Sequence, residues 1–303
     1  MATLQKPEFI YFNQKILPWD EAKIHVSSEA VFRGLNCFEG LKAYWQADDS
    51  MGMGVVALKL HYERFQRSAK LLNMPFDYSW KEFENAVHAI IEALQQKENN
   101  IWIRATLYMI EGHWGENQKT DLCLQAFQTS KDRPKPIRIG VSTWKRADDN
   151  MLPARIKTSS NYQVARLAKI EGRERGFSEM IILNSKDRVA ETGGSCVLIA
   201  RDGVVSTPPA SEGVLESITV NLIESIAKEI NIPFIRRPID RTELHVADEI
   251  VLAGTLAEIT PITAIDQYPV SAKTNILEKL ANRYFEIVTT NHPLAQLSCR
   301  TYV

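Results

Sequence analysis

The sequence predicts a two-domain protein of mixed α+β / α/β class, and three observations carry that prediction. Residues 1–128 alternate strand-like apolar runs with two helical patterns. A polar, proline-rich stretch, Thr129-Ser130-Lys131-Asp132-Arg133-Pro134-Lys135-Pro136, then interrupts the alternation. Beyond it, strands and helices alternate again to the C-terminus. A chain of 303 residues suits such a division. We expect a small α+β domain over 1–128, a connecting segment over 129–136, and a larger domain over 137–303.

In the first domain, Phe9 to Leu17 reads as a hairpin around Asn13-Gln14, and Ala22 to Val26 as a strand. The run Phe32 to Tyr44 is a glycine-punctuated loop feeding a strand; Asp48 to Gly54 is a turn, and Val55 to Leu60 is the partner strand. His61 to Leu72 is helical, with Phe65, Ala69 and Leu72 on one face. Arg64 and Ser68 fall on another, one turn apart. The best-marked helix follows Ser79-Trp80-Lys81-Glu82, a capping box, and carries the stripe Phe83, Val87, Ile90, Ile91 and Leu94. Ile101 to Leu107 and Asp121 to Phe127 are strands.

The second domain opens with the strand Ile137 to Thr143 and a loop leading to Lys157. A helix (Gln163 to Gly176) and a strand (Met180 to Leu183) come next. Val197 to Ala200 and Val204 to Thr207 form a hairpin, because Arg201-Asp202-Gly203 carries the Asp-Gly turn signal. Leu215 to Thr219 runs into a helix ending at Glu229. Strand Phe234 to Arg237, short helix Arg241 to His245, strand Glu249 to Ala253 and a last helix, Ser271 to Thr289, complete the chain.

Composition narrows the function. Net charge is −1, and no clustered Lys/Arg with interleaved aromatics marks a nucleic-acid surface. No apolar run approaches the ~18 residues of a membrane span. The segment Met1 to Pro7 lacks the apolar core of a signal peptide. Cys37, Cys123, Cys196 and Cys299 are widely spaced, which predicts reduced thiols and a cytoplasmic protein. Six histidines occur without an H-E-x-x-H, so no metal is expected.

The chemistry concentrates between Lys157 and Glu191. Lys157 precedes the small polar run Thr158 to Ser160, Tyr162 stands before a helical pattern, and Glu191 follows the next strand and precedes Thr192-Gly193-Gly194. An amine, a phenol and a carboxylate on three successive elements are the groups that hold pyridoxal 5′-phosphate. The amine condenses with the aldehyde, the phenol bonds the ring hydroxyl, and the carboxylate keeps the ring nitrogen protonated. A solvated lysine, a core tyrosine and a turn-capping glutamate would give the same pattern. Three places could receive a phosphate: the helix start at Ile218-Thr219, the turn Gly254-Thr255, and Arg64. A helix cap, a plain turn and a solvated arginine are their ordinary alternatives. Trp102 and Arg104 share one face of a strand, as a substrate clamp or as a plain surface.

Several segments together resemble a known family. They are Phe38-Glu39-Gly40-Leu41-Lys42-Ala43-Tyr44, His61-x-x-Arg64-x-x-x-Ser68, Lys157-x-x-x-Asn161-Tyr162, Glu191-x-x-Gly194, Ser217-Ile218-Thr219, and Ala247-Asp248-Glu249 through Gly254-Thr255-x-Ala257-Glu258-Ile259-Thr260-Pro261. From about Tyr11 to the last helix the chain resembles the branched-chain amino acid aminotransferases. These belong to the class IV, fold type IV enzymes that include the D-amino acid aminotransferases. The resemblance implies that fold, pyridoxal 5′-phosphate between two domains, and a homodimer or higher homo-oligomer whose partner loop helps close the site.

Carried over by position, the resemblance makes Lys157 the Schiff-base lysine, Tyr162 the ring-oxygen partner and Glu191 the ring-nitrogen partner, together the catalytic set. It assigns Arg64, Ile218, Thr219 and Thr255 to the phosphate, and Phe38, Arg104, Thr255, Leu256 and Ala257 to the substrate. Four positions depart from the family pattern. Arg33 and Trp102 stand where tyrosines are usual, Cys196 where asparagine is common, and Ser217 where glycine usually precedes Ile-Thr. Arg33 and Trp102 therefore join the substrate candidates. Two arginines facing one pocket would favour a dicarboxylate, and Trp102 would narrow an apolar slot. The implied activity moves the amino group of Leu, Ile, Val or another apolar L-amino acid to 2-oxoglutarate, giving the keto acid and L-glutamate, as in branched-chain amino acid biosynthesis. The same fold also serves D-amino acids, aromatic amino acids and (R)-amines. A non-catalytic relative would have lost the lysine, the glutamate or the arginine, and all three are present.

Overall fold

Patterning of period two and period 3.6 becomes two separately packed units in the computed structural model, which describes residues 6–95, 99–271 and 274–303. One unit comprises Met1–Asp132, Ile156–Ser160 and Ile287–Val303; the other comprises Arg133–Arg155 and Asn161–Glu286. Lys157 thus packs with the first unit, although it follows the connecting segment in sequence.

The first unit contains strands β1 (Phe9–Phe12) and β2 (Lys15–Pro18), helix α1 (Glu29–Phe32), strands β3 (Asn36–Trp45) and β4 (Met53–Val55), helices α2 (Leu58–Leu71) and α3 (Trp80–Leu94), and strands β5 (Asn100–Glu111) and β6 (Lys119–Thr129). Together with the C-terminal strand Thr301–Tyr302 they form an antiparallel sheet, ordered C-terminal strand, β4, β3, β5, β6, β1, β2. Alternate residues of β3 and β5 (Leu41, Ile103, Leu107) point to one face. There they pack with Phe65 and Ala69 of α2 and Phe83, Val87, Ile90 and Ile91 of α3. The capping box of α3 is complete. Glu82 N–H donates to Ser79 Oγ at 3.3 Å, and Ser79 N–H donates to the Glu82 carboxylate at 2.7 Å.

The second unit holds β7 (Ile137–Lys145), α4 (Tyr162–Glu174), β8 (Glu179–Leu183), β9 (Val189–Thr192), β10 (Cys196–Arg201), β11 (Val204–Thr207), α5 (Ile218–Glu229), β12 (Phe234–Arg236), β13 (Glu249–Gly254), β14 (Glu258–Ile265), β15 (Tyr268–Pro269) and most of α6 (Ile276–Thr289). Its sheet runs β12, β11, β10, β13, β14, β7, β8, β9, with β15 on β14. A further pairing, Glu191 on β9 with Cys196 on β10, closes the path from β10 to β9 into a ring. β8 is buried on both faces. Ile181 and Leu183 pack with Val197, Ile199 and Leu252, while Met180 and Ile182 meet Ala165 and Ala168 of α4.

Three of the departures from the expectation have a visible cause. Ala22 to Val26 is not a strand: a short 3₁₀ turn, Trp19–Glu21, precedes it, and Ile24 and Val26 are exposed without a ladder to join. The strand predicted over Val55 to Leu60 ends at Val55. Ala57 takes a left-handed conformation, and α2 begins at Leu58, three residues before the expected start. A continuous apolar run does not separate strand from helix by period. The last helix begins at Ile276 rather than Ser271, and its predicted residues Ala272 and Lys273 lie outside the described residues, as do Met1 to Gln5. The Glu249 carboxylate accepts the Ile276 and Leu277 N–H groups at 2.7 and 3.1 Å, so a side chain distant in sequence caps this helix.

Because the α3 cap is fully formed, Ser79→Ala is expected to cost about 1 kcal/mol. Thermal unfolding should register it as a fall in Tm of roughly 2–4 °C. An unchanged Tm would mean that α3 draws nothing from its cap.

Candidate active site

In the first unit, the backbone of Lys157 is fastened to two regular elements. Its N–H donates to Ser68 Oγ of α2 at 3.1 Å, and its carbonyl accepts the Phe38 N–H of β3 at 2.8 Å. The side chain returns over the sheet, with Nζ 5.0 Å from the centre of the Phe38 ring. The small polar residues after it have a structural task. Thr158 Oγ1 donates to the Asn36 carbonyl at 2.6 Å, and Ser159 Oγ donates to Asn36 Oδ1 at 2.7 Å.

Arg104 of β5 lies 3.8 Å from the centre of the same Phe38 ring, and its Nη2 donates to Ser159 Oγ at 2.9 Å. Phe38, Lys157 and Arg104 are therefore brought together. Trp102, two residues along the same strand face, stacks on Phe127 with ring centres 5.7 Å apart. Gly40 makes room for it: a Cβ there would stand 3.3 Å from Trp102 Nε1. Arg33 follows α1 and is claimed by its own neighbours. Its Nη1 donates to both Glu29 oxygens at 2.7 and 2.6 Å, and its guanidinium lies 5.0 Å from the Phe32 ring centre and 4.9 Å from that of Trp114.

Arg64 is buried, not solvated. Its Nε donates to Glu39 Oε1 and its Nη2 to Glu39 Oε2, both at 2.7 Å, in a two-point fork. His61, one turn earlier on α2, places Nδ1 2.7 Å from Glu39 Oε2. Relative exposures are 0% for Glu39, 2% for His61 and 5% for Arg64. Burial pushes the Glu39 carboxyl up, but the Arg64 charge, its hydrogen bonds and those of His61 outweigh it and hold the carboxyl below the usual range. Burial also pushes His61 down, against the pull of Glu39. A carboxylate only accepts, so the imidazole donates from Nδ1.

In the second unit, Glu191 sits on the closing strand β9 and is buried. Arg146 Nη2 lies 3.0 Å from Glu191 Oε1, and the Leu215 N–H donates to Oε2 at 3.4 Å. Arg146 is itself held by the carbonyls of Gly213 and Asn161, at 3.3 and 3.4 Å. Cys196, directly across from Glu191, points its thiol at the Leu215 carbonyl, 4.0 Å away. Tyr162 opens α4 and packs, half-buried, against the Ala165–Met180 cluster.

Ser217 accepts the Val220 N–H at 3.2 Å as the cap of α5. Ile218 and Thr219 are the first two residues of that helix. N–H groups there lie ahead of the helical ladder and attract an anion. Thr255, Leu256 and Ala257 form the tight turn between β13 and β14. Gly254 permits its close approach to the Glu191–Gly194 turn: a Cβ at Gly254 would stand 3.1 Å from the Gly194 carbonyl oxygen.

Sequence alone assigns no site role to Glu39, His61, Ser68, Arg146 or Asn36, although Glu39, His61 and Ser68 lie in the segments that carry the resemblance. The spacing of His61, Arg64 and Ser68 along one helix face is a usable signal; Arg146 offers none. The groups each unit carries are of the kinds that suit pyridoxal 5′-phosphate: a lysine amine over an aromatic ring and a buried guanidinium in the first, a capped helix start and a buried carboxylate paired with a cation in the second. Among the described residues no His/Cys/Asp/Glu group could hold a metal ion, and no helix is long and apolar enough to cross a membrane.

Comparison with known proteins agrees with this chemistry. Residues 36–265 match the family model of amino-transferase class IV. A probable branched-chain-amino-acid aminotransferase of Aquifex aeolicus is 36% identical over 265 residues, 86% of this chain and 85% of that protein. The branched-chain-amino-acid aminotransferase of Escherichia coli K12 is 32% identical over 276 residues, 87% of each. The crystal structure of the branched-chain aminotransferase from Thermoproteus uzoniensis with norvaline superposes with a TM-score of 0.89 at 31% identity, covering 97% of this chain and 98% of that one. The T.th. branched-chain amino acid aminotransferase complexed with N-(5′-phosphopyridoxyl)-L-glutamate gives 0.90 at 29% identity, covering 98% and 99%. The chain belongs to the class IV aminotransferases, in the branched-chain amino acid aminotransferase group, and is a pyridoxal-phosphate-dependent aminotransferase.

Proposed function

We propose that this enzyme transfers the amino group of L-leucine, L-isoleucine or L-valine to 2-oxoglutarate, giving the branched 2-oxo acid and L-glutamate. The observation that carries the choice of donor is the Arg33–Glu29 pair, in a chain whose relatives are branched-chain aminotransferases. With the Arg33 charge already matched, the aromatic faces of Phe38 and Trp102 suit a branched apolar side chain better than a second carboxylate. The acceptor follows from Arg104, whose guanidinium suits the distal carboxylate of 2-oxoglutarate. A structural relative solved with N-(5′-phosphopyridoxyl)-L-glutamate supports that half of the reaction.

In this reading, the Lys157 amine holds the cofactor aldehyde. Displaced from it by the substrate amine, the Lys157 amine would be free to take the proton from the substrate α-carbon and to give one back. Tyr162 bonds the ring oxygen, and Glu191, held by Arg146, bonds the ring nitrogen. Arg64, the Ile218 and Thr219 N–H groups and Thr255 take the phosphate; Thr255, Leu256 and Ala257 meet the substrate carboxylate. Bound there, pyridoxal phosphate supplies an electron sink and a carrier for the amino group. We further propose a homodimer and a cytoplasmic setting, to which the free thiols of Cys37, Cys123, Cys196 and Cys299 are suited.

Lys157→Ala should lower transamination by at least about 10²-fold. Borohydride should fix the cofactor to the wild-type chain and leave no such adduct on the variant. Near-normal turnover by Lys157→Ala would defeat the assignment. A half-reaction panel of L-Leu, L-Ile, L-Val, L-Asp, aromatic and D-amino acids and (R)-amines tests the donor; three inert branched-chain substrates would remove it. Glu29→Gln releases the Arg33 charge. It should shift the kcat/KM ratio of L-Asp over L-Leu upward by about tenfold.

A further inference from the structure

We propose that Glu39 is a positioning residue for the phosphate-binding guanidinium of Arg64, with His61 holding Glu39 in turn; the inference rests on the reading above that Arg64 binds the cofactor phosphate. Glu39 lies on the face of β3 that carries Cys37 and Leu41, both part of the apolar core. A carboxylate in that row is costly, and a well-packed apolar residue of similar volume would stabilise the sheet as well or better. What the carboxylate adds is geometry. The fork from Nε and Nη2 to its two oxygens fixes both the plane and the rotation of the guanidinium.

The support is rigid at each step. The Glu39 backbone is paired with Ala105 of β5 inside the sheet. The Nδ1–H of His61 occupies Oε2 from the same helix that carries Arg64, so α2 grips the carboxylate at two points one turn apart. That helix also anchors the Lys157 backbone through Ser68. A phosphate held by Arg64 is therefore set in register with the amine that holds the aldehyde of the same molecule. Glu39 touches neither group, and its effect is specific to the phosphate end.

That specificity gives the test. Apoprotein is titrated with pyridoxal 5′-phosphate and, separately, with pyridoxal, which lacks the phosphate, and the ratio of the two dissociation constants is compared among variants. Glu39→Gln is expected to reduce the preference for the phosphorylated ligand about tenfold or more, with pyridoxal binding nearly unchanged. Equal losses for both ligands, or no loss for either, would overturn the proposal and leave Glu39 a purely structural residue. If Glu39→Gln does not fold, Glu39→Asp, which keeps the charge but withdraws the fork, should lose part of the preference; a wild-type ratio there overturns the proposal equally. Arg64→Met separates the two readings. A ratio that survives Arg64→Met removes Arg64 from the phosphate site, whereas a ratio that collapses there but survives the Glu39 variants defeats only the present inference.

Discussion

The site depends on how the backbone of one residue is held. Lys157 lies in a short irregular segment, yet its N–H is bonded to α2 and its carbonyl to β3. Both elements are buried in the same apolar core. A lysine side chain has four rotatable carbons, and its amine is placed reproducibly only if the backbone beneath it does not move. The hydrogen bonds to Ser68 and Phe38 supply that. Arg64 lies one turn before Ser68 on α2, about 6 Å along the axis. The attachment of the amine and that of the guanidinium are therefore separated by a fixed length of helix.

Two buried ion pairs, Glu39–Arg64 and Glu191–Arg146, recur as the second level of organisation. Neither is an economical way to hold a fold together, since desolvation offsets most of the attraction. Removing one partner of such a pair nevertheless costs about 3–5 kcal/mol, because the other charge is left buried alone. Under the proposed function, their value is that a charge meant for a ligand is kept charged and aimed within a buried site. The two are built differently. Glu39 is gripped from a single helix by Arg64 and His61, whereas Glu191 is held from separate stretches, by Arg146 and by the Leu215 N–H just before α5. The stability that Glu39 derives from its partners is fully present above the ordinary carboxylate range and is lost progressively as pH falls from that range towards the lower folded-state value.

Local signals were readable where one residue type decides the geometry. The Ser79/Glu82 box marked the start of α3, and Asp202-Gly203 marked the β10–β11 hairpin, because capping and positive φ are properties of a few residues at fixed offsets. Pairing was not readable in the same way. Ala22 to Val26 has strand composition, but a strand exists only where an edge receives it. Val55 to Leu60 hid a boundary because strand and helix are both apolar there and Ala57, with no turn signature, takes the left-handed conformation. Among the candidate site residues, Lys157, Arg64 and Glu191 stood out by type and motif. Arg146 lay in no motif, and Glu39 lay in one without an assigned role, because what matters for both is which charge they face, and that is set by ring closure and by α2 docking on β3. The Glu249 cap of α6 was hidden for the same reason.

Arg33 shows how a local rule can reverse a functional expectation. Taken alone, an arginine in place of a tyrosine adds a cation and points to a dicarboxylate. Glu29 is four residues earlier, and one turn of α1 brings its carboxylate onto the guanidinium. Phe32 and Trp114 then flank the planar cation, which is weakly hydrated and stacks readily on aromatic rings. The result is an ion pair of no net charge, bounded by two aromatic rings. Counted residue by residue, Arg33 adds a cation; counted after pairing with Glu29 it adds no net charge, and the proposal of apolar donors rests on that difference.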